Sequence, residues 1–329
     1  MTPEFSTSRH PERGQPCPRE LVARNSRIWL FALRACARSW RRYAKKTGWL
    51  LLGFGLAALL PLTAPAHEDL LLRISLLTER LRTNGPSAEV TFQRAEIYRL
   101  HQDWELSLRD YDSAAPGLTN EAEVDLGRAL ALVGWGKLLE ARSVFDRVLQ
   151  FNPTNALARL ERARVLTQLN EPVLAVADYS QAILHQPNPR AGDYLERAQL
   201  QVAVFGPAVA LKGLDEGLTR LGWTLTLQVL AVDCEVAGKN FDAALARLET
   251  ILARSARQES WLARKGQILL KAGRLGEAKR AFETSMAIIK GLPPRFASSE
   301  KVAALRTEID ASLAALRAAE ETHPTSPQP

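Results

Sequence analysis

Cysteine, histidine and methionine are scarce in this chain of 329 residues, which holds three Cys, five His and two Met. Cys17 and Cys36 fall within the segment 1–66, so Cys234 stands alone in the remainder. A single thiol cannot close an internal disulfide or build an all-cysteine zinc site. On the apolar stretch Leu230-Ala231-Val232-Asp233-Cys234 it reads as a small core side chain. His101 and His185 fall at turn positions far apart in the chain, and His10 and His323 lie near the ends. His67, as a new amino terminus, would bring an amine and an imidazole to copper, but the flanking Glu68 and Asp69 are poor partners for that metal. There is no His/Cys cluster at ligand spacing, no glycine-rich phosphate loop and no arguable Ser-His-acid set. Asp110 and Asp112, two apart on a helix, face different ways. The expectation is a protein that is not an enzyme and needs no metal or cofactor.

Basic charge is also missing from most of the chain, despite a net +7 overall. Residues 1–66 carry 11 Lys/Arg against Glu4, Glu12 and Glu20, leaving 32 bases and 33 acids for residues 67–329. A groove that tracks phosphates needs Lys/Arg clustered on the folded body, so nucleic acid is not an expected partner.

The basic end has its own logic. Arg41-Arg42-Tyr43-Ala44-Lys45-Lys46 precedes the apolar run Trp49–Leu60, and Pro61-Leu62-Thr63-Ala64-Pro65-Ala66 follows before the charged His67-Glu68-Asp69. A positive segment, a short apolar run and an Ala-x-Ala exit make a secretory signal, with cleavage expected after Ala66. Residues 1–38 exceed an ordinary n-region, which points to a translation start nearer Arg41. The alternative is a retained anchor, since residues 47–67 hold no fixed charge and that length just spans a bilayer. Pro61 and Pro65 oppose a complete spanning helix.

What is abundant is repetition. Tyr111, Phe145, Tyr179, Leu214, Leu248 and Phe282 follow one another at an almost constant step, lengthened by one only between Tyr179 and Leu214. Four positions before each lies a small residue: Ser107, Ala141, Ala175, Ala210, Ala244 and Ala278. A third column holds Trp104, Leu138, Pro172, Pro207, Phe241 and Leu275. The step matches the period of about 34 that marks one helix-turn-helix unit, here copied about six times and stacked so that neighbours share a core. In the third unit, Leu157, Leu160, Ala163 and Leu166 mark the apolar face of a first helix, and Val176, Tyr179, Ala182 and Ile183 that of a second. Asn155 caps the first helix, Pro172 opens the second, and Pro153 and Pro187 end units. One extra turn residue is expected near Gly238-Lys239-Asn240.

These residues resemble the tetratricopeptide repeat family. Ala163, Leu166, Ala175, Tyr179, Ala182 and Pro187 supply its pattern in full in the third unit; the fourth (Ala198, Ala210, Leu214, Gly217) and fifth (Ala244, Leu248, Ile251) are degenerate. The resemblance implies an all-α, right-handed superhelical solenoid with a concave groove that binds protein. It divides the chain into a leader (1–66), an N-terminal capping helix (67–87), six repeats (88–292), a C-terminal capping helix (293–319) and a disordered tail (320–329). The N-terminal helix is read over residues 68–82, with Leu70, Leu71, Ile74, Leu77 and Leu81 on its apolar face. The C-terminal one is capped by Ser298 or Ser299 and carries Val302, Leu305, Ile309, Leu313 and Leu316.

Two sets of residues are candidates for function. First-helix positions Gln93, Glu96, Glu161, Arg164, Glu196 and Gln199 are expected to line the groove, with a mixed charge that favours neither an acidic nor a basic ligand. An arginine column, Arg94, Arg128, Arg162 and Arg197 with Lys265 in the sixth copy, reads either as a cationic ladder for an acidic peptide or as internal ties. The second reading is preferred, because Asp110 and Asp178 follow Arg94 and Arg162 at one and the same spacing, across the same hairpin. The expected role is an exported scaffold, periplasmic or secreted in a bacterium, binding a protein or peptide. The alternatives are an inner-membrane-tethered assembly factor held by its leader, and an accessory subunit of an enzyme complex.

Overall fold

A computed structural model describes residues 64–322, so the signal-peptide reading up to Thr63, the side chain of His67 and the end of the tail lie outside the described residues. The described part is helical. A first helix, α1 (Ala64–Asn84), precedes six pairs. These are α2 (Ala88–His101) with α3 (Trp104–Ala114), α4 (Glu121–Gly134) with α5 (Leu138–Phe151), and α6 (Ala156–Gln168) with α7 (Pro172–His185). There follow α8 (Ala191–Phe205) with α9 (Pro207–Leu221), α10 (Leu225–Ala237) with α11 (Phe241–Arg254), and α12 (Glu259–Lys271) with α13 (Leu275–Lys290). One turn, α14 (Pro294–Ala297), and a long α15 (Glu300–Thr322) close the array.

Local chemistry sets the boundaries. The Ser87 hydroxyl and the Asn120 and Asn155 side chains each accept a backbone N–H of the helix they start, satisfying donors that have no partner within the helix. Pro172 and Pro207 open α7 and α9, where a missing N–H costs nothing. Five hairpins share one turn. Its middle residue is left-handed at Gln102, Gly136, Asn170, Lys239 or Gly273, and the next N–H reaches back five positions, as from Glu171 to the Leu166 carbonyl at 2.8 Å. The turn at Gly238-Lys239-Asn240 is therefore the common one and carries no extra residue. The one longer step is absorbed between repeats three and four, where the loop 186–190 exceeds the loop 152–155 by one. In the fourth repeat only Gly206, at φ 86°, separates the two helices.

The two principal columns form the core. All six small residues are fully buried, and Ser107 donates to the Ala95 carbonyl at 2.9 Å. The aromatic and leucine column from Tyr111 to Phe282 is at most 2% exposed. Leu160, Ala163 and Leu166 are buried as expected, but Leu157 is 46% exposed. Residues three apart on an α-helix drift by about 60° per step, so Leu157 lies nearly opposite Leu166.

Both ends differ from expectation in extent. α1 begins at Ala64, earlier than residue 68, and Leu71 faces out at 48% exposure, while Leu70, Ile74, Leu77 and Leu81 are partly buried on the side against α2. Leu71 is about 100° around the helix from Leu70 and cannot share its face. At the other end Ser299 is the cap, accepting from Val302 N at 3.4 Å, and Val302, Ile309, Leu313 and Leu316 are buried where α15 packs on α12 and α13. α15 runs to Thr322, so residues 320–322 are helical where the tail was expected to start. Ala318, Ala319, Glu320 and Glu321 are strong helix formers and carry it on.

From α1 to α13 each helix packs on the next, and first helices of successive repeats also touch one another: α2 with α4, α4 with α6, α8 with α10. That closer approach puts the first helices on the inner side of the stack, the side that a curved solenoid presents as its groove.

Candidate protein-binding surface

The groove candidates sit on that inner row, in two linked groups and two exposed amides. Gln93 and Gln199 are exposed, and the Gln93 amide donates to Glu89 at 2.8 Å. Glu161, Arg164 and Glu196 are brought together. Arg164 donates to Glu161 at 2.6 Å in its own helix and to Glu196 at 3.0 Å in the next repeat. The Tyr179 hydroxyl donates to the same Glu196 carboxylate at 2.7 Å. Burial alone would raise the Glu196 pKa, but the bonds from Arg164 and Tyr179 outweigh it and hold the carboxyl below its ordinary value. Burial and the Glu196 charge push the Tyr179 hydroxyl well above its usual range, so it stays a donor. In the first repeat Glu96 stands at the position of Arg164, two repeats earlier, and the polarity reverses: it accepts from Arg99 at 2.5 Å and from the Tyr111 hydroxyl. The Glu96–Arg99 pair is balanced in charge, whereas Glu161 and Glu196 share the single guanidinium of Arg164.

The cation column has a regular geometry of its own. Each member has one position ahead of it on the second helix of its own repeat, and one at the same spacing behind it on the preceding second helix, and its partners depend on which of the two carries an acid. Arg162 uses both: it grips Asp178 at 2.6 and 2.7 Å and Asp146 at 2.7 Å. Arg94 holds Asp110 at 2.6 and 2.9 Å and reaches back to the Thr78 hydroxyl of α1 at 3.2 Å. Arg128 faces Val144 ahead, so it bonds backward to Asp112 at 2.8 Å and to Asp125 in its own helix. Lys265 has Ala281 ahead and pairs backward with Glu249 at 2.5 Å.

Arg197, only 5% exposed, meets no aspartate ahead, because Gly213 occupies that position. The missing side chain is what lets it in. A Cβ at Gly213 would lie 3.0 Å from Arg197 Nη2, which instead bonds the Gly213 carbonyl at 3.1 Å and Glu216 at 2.7 Å. Hydrogen bonding to Asp178 and Asp110 raises the pKa of Arg162 and Arg94 further. The arginine forks are thus committed to the protein. The partners Asp112, Asp146 and Glu249 were missed from the sequence, although with Asp215 they form a column of the same period.

Cys234 is buried, and burial, with Asp233 and Glu235 nearby, raises its thiol pKa, which makes it a poor nucleophile. Among the described residues no group of His, Cys, Asp and Glu could hold a metal ion.

Neither a family model nor a curated protein matches this sequence. Solved structures do. The C-terminal part of a TPR repeat-containing protein from Cytophaga hutchinsonii superposes with a TM-score of 0.57 at 12% identity, over 73% of this chain and 95% of that one. The fold is that of a tetratricopeptide-repeat solenoid. The Naa15/Naa10 structure bound to HypK-THB gives 0.51 at 16% identity, over 73% of this chain and 37% of that one. A tetratricopeptide repeat protein from Parabacteroides merdae is 18% identical, with a TM-score of 0.44 over 74% of this chain and 94% of that one. Set against these, the tetratricopeptide array here has six repeats, a lone second-type helix in front and a long helix behind.

Proposed function

We propose that this protein is a scaffold that binds another protein or peptide along the inner row of first helices. The observation that carries this reading is the contrast between committed and available groups. The arginine column is consumed by ties within the fold, whereas the inner row keeps exposed amides such as Gln199 beside hydrogen-bonded clusters of mixed charge. Such a surface reads a partner's backbone and polar side chains rather than its net charge. The structurally similar Naa15/Naa10 structure is one bound to HypK-THB, which supports a binding role for this architecture.

We also propose export, with cleavage after Ala66, on the strength of the basic segment, apolar run and Ala-x-Ala exit. No helix among the described residues is long and apolar enough to cross a membrane. Sequencing the amino terminus of the mature protein tests this: a first residue of His67 supports it, and intact Trp49 peptides in washed membranes contradict it in favour of the tethered alternative.

Site-specific photocrosslinking in the native cell tests the binding reading. A photoreactive residue at Gln199 should give a discrete adduct that the same residue at Leu139, 69% exposed on the second helix α5, does not. Equal labelling at both positions, or adducts from Leu139 alone, would move the site off the inner row.

A further inference from the structure

The array shows what should lie beside α1 and does not, among the described residues. Leu77 falls one full repeat before Tyr111, which makes α1 a second helix by register. Three positions on one side of the second helices are buried against the first helix of the same repeat, except that Arg247 at the second of them in α11 is partly exposed. The first is the small column, Ser107 and its mates; Ser107 bonds the Ala95 carbonyl of α2. The second includes Asp110, Val144, Asp178 and Ala281, all at most 6% exposed, with Asp110 and Asp178 gripped by first-helix arginines. The third includes Ala114, Val148, Ala182, Ile251 and Ser285, all fully buried, and Ser285 bonds the Glu259 carbonyl of α12 at 2.6 Å. In α1 these positions are Arg73, Leu76 and Arg80, and Leu76 is 60% exposed.

The empty place has a shape. A cleft of about 420 Å³ runs between α1 and α2, lined by Leu76, Leu77, Phe92 and Ile97 with Arg73 and Glu96 at its edges. One first helix of three to four turns fills the corresponding place in every repeat.

It also has a charge. Glu96 is already satisfied by Arg99 and Tyr111, and Gln93 by Glu89. Arg73 pairs with Asp69 at 3.1 Å, an exposed contact worth little. Arg80 has no ion-pair or hydrogen-bond partner for its side chain among the described residues. The unmet charge is therefore positive, carried by two arginines seven positions and about 10 Å apart along the helix. At the Arg73 position every repeat carries serine or alanine, so an ordinary first helix of this array, which packs closely there, would collide with that arginine side chain.

We propose that the slot between α1 and α2 docks an amphipathic helix of a partner protein, with apolar anchors filling the Leu76–Phe92–Ile97 cleft and carboxylates seven positions apart meeting Arg73 and Arg80. This site lies at the end of the array and does not depend on the inner row being a binding surface.

Fluorescence anisotropy with the full-length protein tests it. The probe is a stapled helical peptide with leucine anchors and two glutamates seven positions apart, set against a twin carrying lysines in their place. The glutamate peptide should bind about tenfold more tightly or better. Leu76→Asp should abolish binding, and Arg80→Glu should reverse the preference; both positions are on the surface, and circular dichroism checks that the variants stay folded. Absence of binding, equal affinity for the twins, or binding unchanged by Leu76→Asp would overturn the proposal. So would sedimentation showing that the protein alone is a dimer dissolved by Leu76→Asp, which would assign the slot to a second copy.

Discussion

Arg162 and Asp146 belong to different repeats, yet Nη1 of one lies 2.7 Å from Oδ1 of the other. The same guanidinium holds Asp178 of its own repeat through Nε and Nη2. One side chain therefore staples two second helices across a first helix, which couples neighbouring repeats beyond their apolar contact. In a repeat array, stability is roughly a sum of repeat and nearest-neighbour terms, and this fork contributes to both.

The small-residue column is a spacing device. Ala175 is fully buried where its helix meets neighbours at close range. Ala175→Leu should cost about 1–3 kcal/mol through overpacking. Urea unfolding measures it, and an unchanged midpoint would mean that the helices do not meet there as closely as the structure shows.

Lys239 holds a left-handed turn at φ 61°, where glycine serves at the matching positions Gly136 and Gly273. A side chain in that region costs about 1–2 kcal/mol, part of which glycine gives back as chain entropy. Lys239→Gly should raise the melting temperature modestly, and Gly136→Ala should lower it. A drop with Lys239→Gly would show that the lysine side chain makes a contact that outweighs the backbone strain.

Acid should loosen the inner cluster. The Glu196 carboxyl titrates below its ordinary value of 4.5 in the folded chain, so it binds fewer protons there than when unfolded. Its stabilisation is present above that ordinary value and is lost as pH falls through the lower folded one. The melting temperature of the wild type should therefore fall more steeply below about pH 4.5 than that of Glu196→Gln. Parallel curves for the two proteins would remove Glu196 from the account.

Much of this was legible in the sequence, because a repeat writes the same physics six times. Tyr111 to Phe282 and Ser107 to Ala278 marked the core, since a close helix contact admits only small residues and the gap beside it needs a large one. Individual faces were harder to read. Leu157 and Leu71 are apolar like their neighbours, and only the accumulated rotation along the helix sends them to solvent. The Arg94–Asp110 and Arg162–Asp178 ties followed from a shared spacing within one hairpin. The backward ties to Asp112, Asp146 and Glu249 cross a repeat boundary, and that distance depends on how repeats stack, which spacing alone does not give. The Glu196–Arg164–Tyr179 cluster was hidden for the same reason.

The central claim is that the arginine column belongs to the fold and leaves recognition to the groove residues. A double-mutant cycle on Arg162 and Asp178, read by urea unfolding, tests it most directly. Asp178 is almost fully buried and Arg162 partly so. Arg162→Gln and Asp178→Asn should therefore each cost about 2–3 kcal/mol, below the roughly 3–5 kcal/mol typical of a fully buried pair. The double mutant should lose less than their sum by about 1–2 kcal/mol, and Asp146→Asn, on the more exposed partner, should cost under about 1 kcal/mol. Single variants as stable as the wild type, with partner capture weakened by Arg162→Gln, would contradict the account and make the column the binding site.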